Sequence, residues 1–258
     1  MRGLAVAILL ALASAAAVQE RPIPPEDLRP GTAFQSEETQ ALEADAFANP
    51  ALLWVDRGRT LFDEKAGHAD AACADCHGAD GAALVGAATR YPAVQPGSGR
   101  LLNLEGRINS CRRRYQQAEA LPYESEALLA LTAYVASLSA GMAPAPRIDG
   151  SATPFFERGR MLYETRLGQM NLACTQCHDQ NYGRMLRGDR ISQGHPTGYP
   201  AYRLTWQGMG SLHRRLTACY LGVRAEPRPG GDPDYLALEL YLAWRAGNLP
   251  ITAPGLRR

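Results

Sequence analysis

The sequence predicts an all-α protein of two tandem units related by internal duplication, preceded by an extended N-terminal arm. Three observations carry this reading. The pentapeptide Cys73-Ala74-Asp75-Cys76-His77 recurs 101 residues later as Cys174-Thr175-Gln176-Cys177-His178. The repeat extends on both sides: Arg57-Gly58-Arg59-Thr60-Leu61-Phe62 matches Arg158-Gly159-Arg160-Met161-Leu162-Tyr163 at the same offset of 101, and Arg107-x-x-x-Cys111 matches Arg215-x-x-x-Cys219 at an offset of 108. Apolar residues at the ends of the units recur at helical spacing, with no competing run of strand-like alternation.

In chain order, residues 1–17 read as a secretory signal peptide, with Arg2, an apolar run over 4–12 and the small residues Ala13-Ser14-Ala15-Ala16-Ala17. Cleavage is expected after Ala15 or Ala17, delivering the chain to the periplasm. The apolar run falls short of the ~20 residues that span a bilayer, and no other stretch reaches that length, so no membrane span is expected. Residues 18–48 form the arm and a short helix; its segment 21–30 holds four prolines and reads either as an extended strap on another surface or as a disordered leader.

The first unit covers residues 49–143. Asn49-Pro50 is an N-cap and N1 pair for a helix through Leu53, Trp54 and Leu61 that ends near Gly67. Ser125 caps a second helix with Leu128, Leu131, Val135 and Leu138 on one face, stopped by Gly141. Residues 144–152 are a linker, marked by Met142-Ala143-Pro144-Ala145-Pro146 and Asp149-Gly150-Ser151. The second unit covers 153–258; its last helix opens at Asp232-Pro233, runs through Leu236, Leu240 and Trp244 and stops at Gly247. The seven extra residues of this unit fall between His178 and Cys219.

Cys-x-x-Cys-His is the attachment site of c-type haem: two cysteines form thioethers with the porphyrin vinyl groups and the histidine binds iron. A lone Cys-x-x-Cys is equally half of a zinc site or a redox disulfide. Two copies, each followed directly by His in a chain with an export signal, point to haem. Two covalent haem c groups are therefore expected, one on Cys73 and Cys76 with His77 on its iron, one on Cys174 and Cys177 with His178. Gly58 and Gly159 fall inside predicted helices, where glycine costs ~1 kcal/mol relative to alanine. Repeating that cost implies a close helix crossing, against which Tyr134 and Tyr241 can pack. The arrangement resembles class I cytochromes c.

Composition is less informative. The formal net charge is +1, and 0 without Arg2, which argues for neither nucleic acid nor a membrane surface as partner. Lys65 is the only lysine among 27 basic residues, so a single arginine carries less functional weight here than elsewhere.

Cys111 and Cys219 remain outside the haem motifs. In an oxidising compartment a disulfide between them is the default. They nevertheless hold equivalent places, 34 and 41 residues after His77 and His178, which suits a distal thiolate ligand on each iron. Met142 and Met209 keep no common register and read as linker or core residues, and His68, His195 and His213 have no counterparts in the other unit. A thiolate favours Fe(III), which suits a sulfur that is itself to react better than it suits a high-potential carrier.

The tandem haem units, the unpaired Cys111 and Cys219, and Arg215 four residues before Cys219 resemble the dihaem A subunit of the SoxAX cytochromes of bacterial sulfur oxidation. That resemblance implies oxidative coupling of thiosulfate to a cysteine of a SoxYZ-like sulfur-carrier protein, giving a cysteine S-thiosulfonate and two electrons for c-type cytochromes. It also implies a bound monohaem SoxX-like subunit and a downstream electron-accepting cytochrome. By the same resemblance Cys219 is the reactive residue, found as a persulfide in such proteins, and Arg215 holds the anion. Arg107 sits at the same offset from Cys111, which leaves a haem propionate or structural role open for both. The arginines at 112–114 and 214–215 read either as a solvated face or as an attraction for acidic partners. Two rival readings are a thiosulfate dehydrogenase that makes tetrathionate and a non-catalytic dihaem electron carrier.

Overall fold

The structure is a computed structural model and describes residues 21–258, so the signal-peptide reading of 1–17 lies outside it. The arm lies along the chain's own C-terminal half. Ile23 and Leu28 are buried with Leu249, beside Tyr182, and Arg21 donates Nε to the Trp244 carbonyl at 2.9 Å while its guanidinium covers the indole. Helix α1 (Glu37–Ala44) starts at Ser36, whose Oγ accepts the Thr39 N–H, and its Glu43 carboxylate takes Arg257 Nη1 at 2.6 Å.

Helix α2 (Ala51–Asp63) begins one residue later than the Asn49-Pro50 pair implies, with Asn49 Oδ1 accepting the Ala51 N–H. It stops short of Gly67 because Glu64 turns extended. Then come α3 (Ala74–His77), the antiparallel pair β1 (Ala93–Val94) and β2 (Leu101–Leu102), and α4 (Leu104–Cys111), capped by Asn103 and prolonged by one π-helical turn, Arg112–Gln116. Helix α5 (Glu126–Ser137) is capped by Ser125 as its sequence predicts.

The C-terminal half repeats this order: α6 (Thr153–Glu164), α7 (Cys174–His178), an exposed hairpin β3 (Met185–Leu186) and β4 (Asp189–Arg190) in the interval of the extra residues, then β5 (Ala201–Arg203) and β6 (Gly208–Gly210). Helix α8 (Leu212–Gly222) is capped by Ser211 and α9 (Pro233–Arg245) by Asp232; β7 (Gly255–Arg257) joins β5 in parallel, giving the order β6-β5-β7. Helices dominate, as predicted, but the short strands were not: two or three residues are too few to show alternation. No described helix is long and apolar enough to cross a membrane.

Two crossings organise the halves. Where α2 meets α5, a Cβ on Gly58 would lie 2.0 Å from the Ala130 carbonyl oxygen and 2.7 Å from Tyr134 Cβ. Where α6 meets α9, a Cβ on Gly159 would lie 2.0 Å from the Ala237 oxygen and 2.9 Å from Tyr241 Cβ. Only glycine lets the backbones approach this far, which explains its presence in mid-helix. Phe62 packs at a tilt on Tyr134 in one crossing; Phe156 and Tyr163 pack on Tyr241 in the other.

The halves are locked together by exchange. Leu101 of β2 is buried in the core built by Phe156, Leu238 and Leu240, while Met209 of β6 is buried with Ala51, Leu129 and Ala133. The linker is pinned as well, Ala145 donating to the Thr89 carbonyl at 2.7 Å and Ile251 to the Met142 carbonyl at 2.8 Å.

A polar cluster is buried in this junction. Glu239 of α9 accepts from Asn103 Nδ2 at 3.1 Å and from His213 Nε2 at 3.0 Å; the Gly231 N–H occupies His213 Nδ1, fixing the neutral tautomer even though the carboxylates around it favour the cation. Tyr123 stacks on His213 and donates to Asn103. Glu105 of α4 stands among Glu239, Glu124 and His213, and burial, followed by the Glu239 charge, pushes its carboxyl up to about 7. A carboxyl raised on folding contributes stability that is complete below ~4.5 and is lost as pH rises through about 7. Glu105→Gln is expected to flatten the fall in melting temperature between pH 5 and 8; melts across that range check it, and an unchanged slope refutes it.

Candidate haem sites and a reactive cysteine

Helix α7 presents Cys174, Cys177 and His178 on a single turn, Gln176 Oε1 closing its start on the Ala173 N–H at 2.8 Å. His178 Nδ1 bonds the Ser192 carbonyl at 2.7 Å, which fixes the tautomer and leaves Nε2 free of that bond. The following turn needs glycine: Gly194 has φ +75°, and a Cβ there would stand 2.9 Å from the His178 ring.

Helix α8 brings Cys219 beside the same imidazole, close enough for His178 to lower its pKa. Arg215 lies one helical turn before Cys219 and therefore on the same face. Burial would push the Cys219 thiol up, but Arg215, then His178 and Arg203, outweigh it and hold the thiol at about 7. Burial instead pushes the neighbouring Cys174 up to about 12, which suits a sulfur consumed as a thioether rather than one acting as thiolate. Cys219 keeps part of its surface accessible.

In the N-terminal half α3 carries Cys76 and His77, with Cys73 just before it, and α4 ends on Cys111 with Arg107 one turn earlier. Cys111 lies close enough to Cys73 to raise its pKa, after burial, and burial and Arg107 lower that of His77. All six cysteines are free, and Cys111 and Cys219 each stand beside the haem motif of their own half rather than joined to each other. His68 is exposed, while His195 and His213 are buried.

The residues fit haem. Four free thiols stand in two Cys-x-x-Cys pairs, and His178 is oriented through Nδ1 as an iron-binding imidazole is. Beside it, both ring nitrogens of His195 and Nε of Arg245 are buried without a partner. Burial, then Arg245 and His178, pushes His195 down to about 3, so it stays neutral with one N–H to give. Buried donors lacking acceptors suit the carboxylates of a porphyrin edge. Cys73, Cys76, Cys174 and Cys177 would hold the porphyrin covalently; His77 and His178 would bind iron.

Several of these residues escape the sequence. Arg203 of β5 adds a second guanidinium near Cys219, its Nε buried and unpartnered and its plane over Trp206. Tyr199 adjoins both Arg203 and Arg215. The Tyr199-Pro200 pair matches Tyr91-Pro92 at the offset of 108 that relates Cys219 to Cys111, and this signal could have found it. Arg203 falls in the register of Gln95, so only the C-terminal half has the extra charge. Arg214 lies over Trp206 and is exposed, as are Arg113 and Arg114.

Helices crossing at glycine and an aromatic residue, with Cys-x-x-Cys-His on a short helix between them, define a c-type cytochrome. Residues 57–143 match the family described as SoxA/TsdA, cytochrome c domain. The L-cysteine S-thiosulfotransferase subunit SoxA of Rhodovulum sulfidophilum is 37% identical over 232 residues, covering 90% of this chain and 81% of that protein. The protein of the same name from Paracoccus pantotrophus is 35% identical over 227 residues, covering 88% and 78%. The crystal structure of SoxXA from P. pantotrophus superposes with a TM-score of 0.85 at 34% identity, covering 90% of this chain and 87% of that one. The chain belongs to the SoxA family.

Proposed function

We propose that this chain is the catalytic subunit of an L-cysteine S-thiosulfotransferase. It would carry two haem c groups in duplicated class I cytochrome units, residues 49–143 and 153–258, and would be exported to the periplasm. The duplication reading is supported by the paired crossings at Gly58 and Gly159 and by the shared offsets of the Tyr-Pro, Arg-x-x-x-Cys and cap positions. The single observation that carries the function is the placement of Cys219, a half-buried residue whose thiol is held near neutrality, against the effect of burial, by Arg215, His178 and Arg203. Cys111 and Cys219 are proposed as the distal iron ligands.

Thiosulfate would enter as a dianion, its oxygens meeting Arg215 and Arg203, whose planar guanidinium groups suit such oxygens. Its sulfane sulfur forms an S–S bond with the Cys219 thiolate, and this bond formation releases two electrons. Bound haem supplies one-electron acceptance, so a second acceptor is needed; a SoxX-like monohaem subunit and a further cytochrome fill that role. A thiolate of a SoxYZ-like carrier then attacks the sulfane sulfur, making the carrier S-thiosulfonate, and the Cys219 thiolate leaves. A persulfide on Cys219 would be a resting form of the same sulfur. Intact mass of the purified chain tests the reading: two haem additions, plus ~32 Da on the peptide containing Cys219 where persulfide is retained. Turnover that persists without a carrier protein and yields tetrathionate would instead establish the dehydrogenase reading.

Arg215→Leu is expected to raise KM for thiosulfate about 10- to 100-fold, the loss of one charge-assisted contact of ~1.5–3 kcal/mol. Arg107→Leu, at the same offset from the other cysteine, should leave KM unchanged. Equal effects from both would mean that the arginines serve the fold or the haem.

A further inference from the structure

Behind His178 lies a buried ion pair for which the N-terminal half has no counterpart. Arg245, in the last turn of α9, is 1% exposed. Its Nη2 donates to Asp179, its Nη1 donates to the Gln193 carbonyl at 3.2 Å, and its guanidinium covers the Tyr163 ring at 4.4 Å. The Tyr163 hydroxyl donates to Asp179 Oδ1 at 2.8 Å. Asp179 directly follows His178, and Gln193 directly follows Ser192, the residue whose carbonyl takes His178 Nδ1. One guanidinium thus grips the chain beside both ends of the hydrogen bond that orients the imidazole. Gln193, also 1% exposed, extends the grip to the arm: its Nε2 donates to the Asp27 carbonyl and its Oε1 accepts the Arg29 N–H, both at 2.8 Å.

The first half shows what this costs. Phe62 and Gly78 stand 101 residues before Tyr163 and Asp179; Leu138 stands 107 before Arg245, the offset relating Ala130 to Ala237 at the crossings. Phe62, Gly78 and Leu138 offer no charge and no side-chain hydrogen bond, so the same crossing can be packed with apolar groups. A buried ion pair rarely stabilises more than apolar residues of similar volume. Fold stability therefore does not explain the pair, and its placement against His178 does.

We propose that Arg245, Asp179 and Tyr163 form a positioning network that fixes the His178 ring and gives the C-terminal haem a reduction potential distinct from that of the N-terminal haem. The network touches neither substrate nor the reacting sulfur; apart from the free Nε of Arg245, which would meet the porphyrin edge, it acts through the His178 imidazole, as outer-shell partners of iron ligands do. In Arg245→Leu, the Asp179 carboxylate is left uncompensated beside His178, which favours the oxidised iron. The inference rests on the two-haem reading.

The test uses the full chain with its cytochrome partner. Intact mass is read first: a single haem would overturn the two-haem reading itself. With two haems present, redox titration of Arg245→Leu should show the C-terminal haem harder to reduce by at least tenfold in its one-electron equilibrium, about 59 mV, with the N-terminal haem unmoved. The triple variant Tyr163→Phe, Asp179→Gly, Arg245→Leu installs the set with which the first half is packed, and serves if the single variant fails to fold. It should move the electron paramagnetic resonance g-values of the C-terminal haem alone, whereas Arg245→Lys should retain the parent values. A triple variant with both potentials and both signals unchanged, and only its melting temperature altered, would overturn the proposal. So would equal shifts at both haems.

Discussion

Cys219→Ala is expected to lower sulfur transfer to the carrier by at least about a thousandfold with the haem count unchanged, because on the proposed route its thiolate is the group that would bond thiosulfate and then leave. Cys111→Ala is expected to keep transfer within about tenfold, since no second cation such as Arg203 stands in the register of its site. The contrast is the informative part. If both cysteines act only as iron ligands, the two variants fall together; if the chain is an electron carrier, neither loses sulfur chemistry that it never had. Initial rates with thiosulfate, carrier and an oxidised cytochrome, alongside haem counts by mass, decide among these. Dithionite reduction of both variants checks that electron entry survives.

What made this site legible in the sequence was locality. A haem attachment motif needs five consecutive residues, and an arginine one turn before a cysteine needs a single helix, so both survive as patterns without any knowledge of the fold. The crossings were legible for another reason: glycine in mid-helix is costly enough that its repetition implies backbone contact. The offset of 101 before the haem motifs and 108 after them placed the remainder. Tyr199 was legible only through its Tyr-Pro match at the offset of 108, whereas Arg203, His195 and Gln193 were not, because they reach the site from strand and loop segments with no periodicity. Only packing gives them a role: His195 matters because nothing bonds its two nitrogens, and Gln193 because it ties the arm to the segment whose preceding residue, Ser192, takes His178 Nδ1. The Glu105, Glu239 and His213 cluster was hidden similarly, its members coming from α4, α9 and α8. The internal repeat holds more than its motifs. Its aligned positions set Tyr163, Asp179 and Arg245 against Phe62, Gly78 and Leu138 in the sequence itself.

The same crossings give the largest expected effect on stability. At an exposed helical position, glycine to alanine gains up to about 1 kcal/mol from backbone entropy. At Gly159 the sign should reverse, since the new Cβ would lie 2.0 Å from the Ala237 carbonyl oxygen and 2.7 Å from its carbonyl carbon, both backbone atoms that cannot swing aside. Gly159→Val is expected to cost more than about 3 kcal/mol, at or beyond the upper end of ordinary overpacking, because α6 and α9 must separate and Phe156, Tyr163, Tyr241 and Trp244 lose their mutual contacts. Gly58→Val should behave likewise through Ala130 and Tyr134. Gly222, around which a Cβ would meet nothing within 4 Å, serves as the control: Gly222→Ala should be neutral or stabilising. Thermal unfolding of the four proteins, parent included, reads the result. Should the two crossing variants melt with the parent, the close approach of these backbones would not be what holds each pair of helices together. Because α9 also carries Arg245 onto the chain beside His178, on the proposed two-haem reading Gly159→Val should disturb the C-terminal haem spectrum, while Gly58→Val should first disturb the N-terminal one.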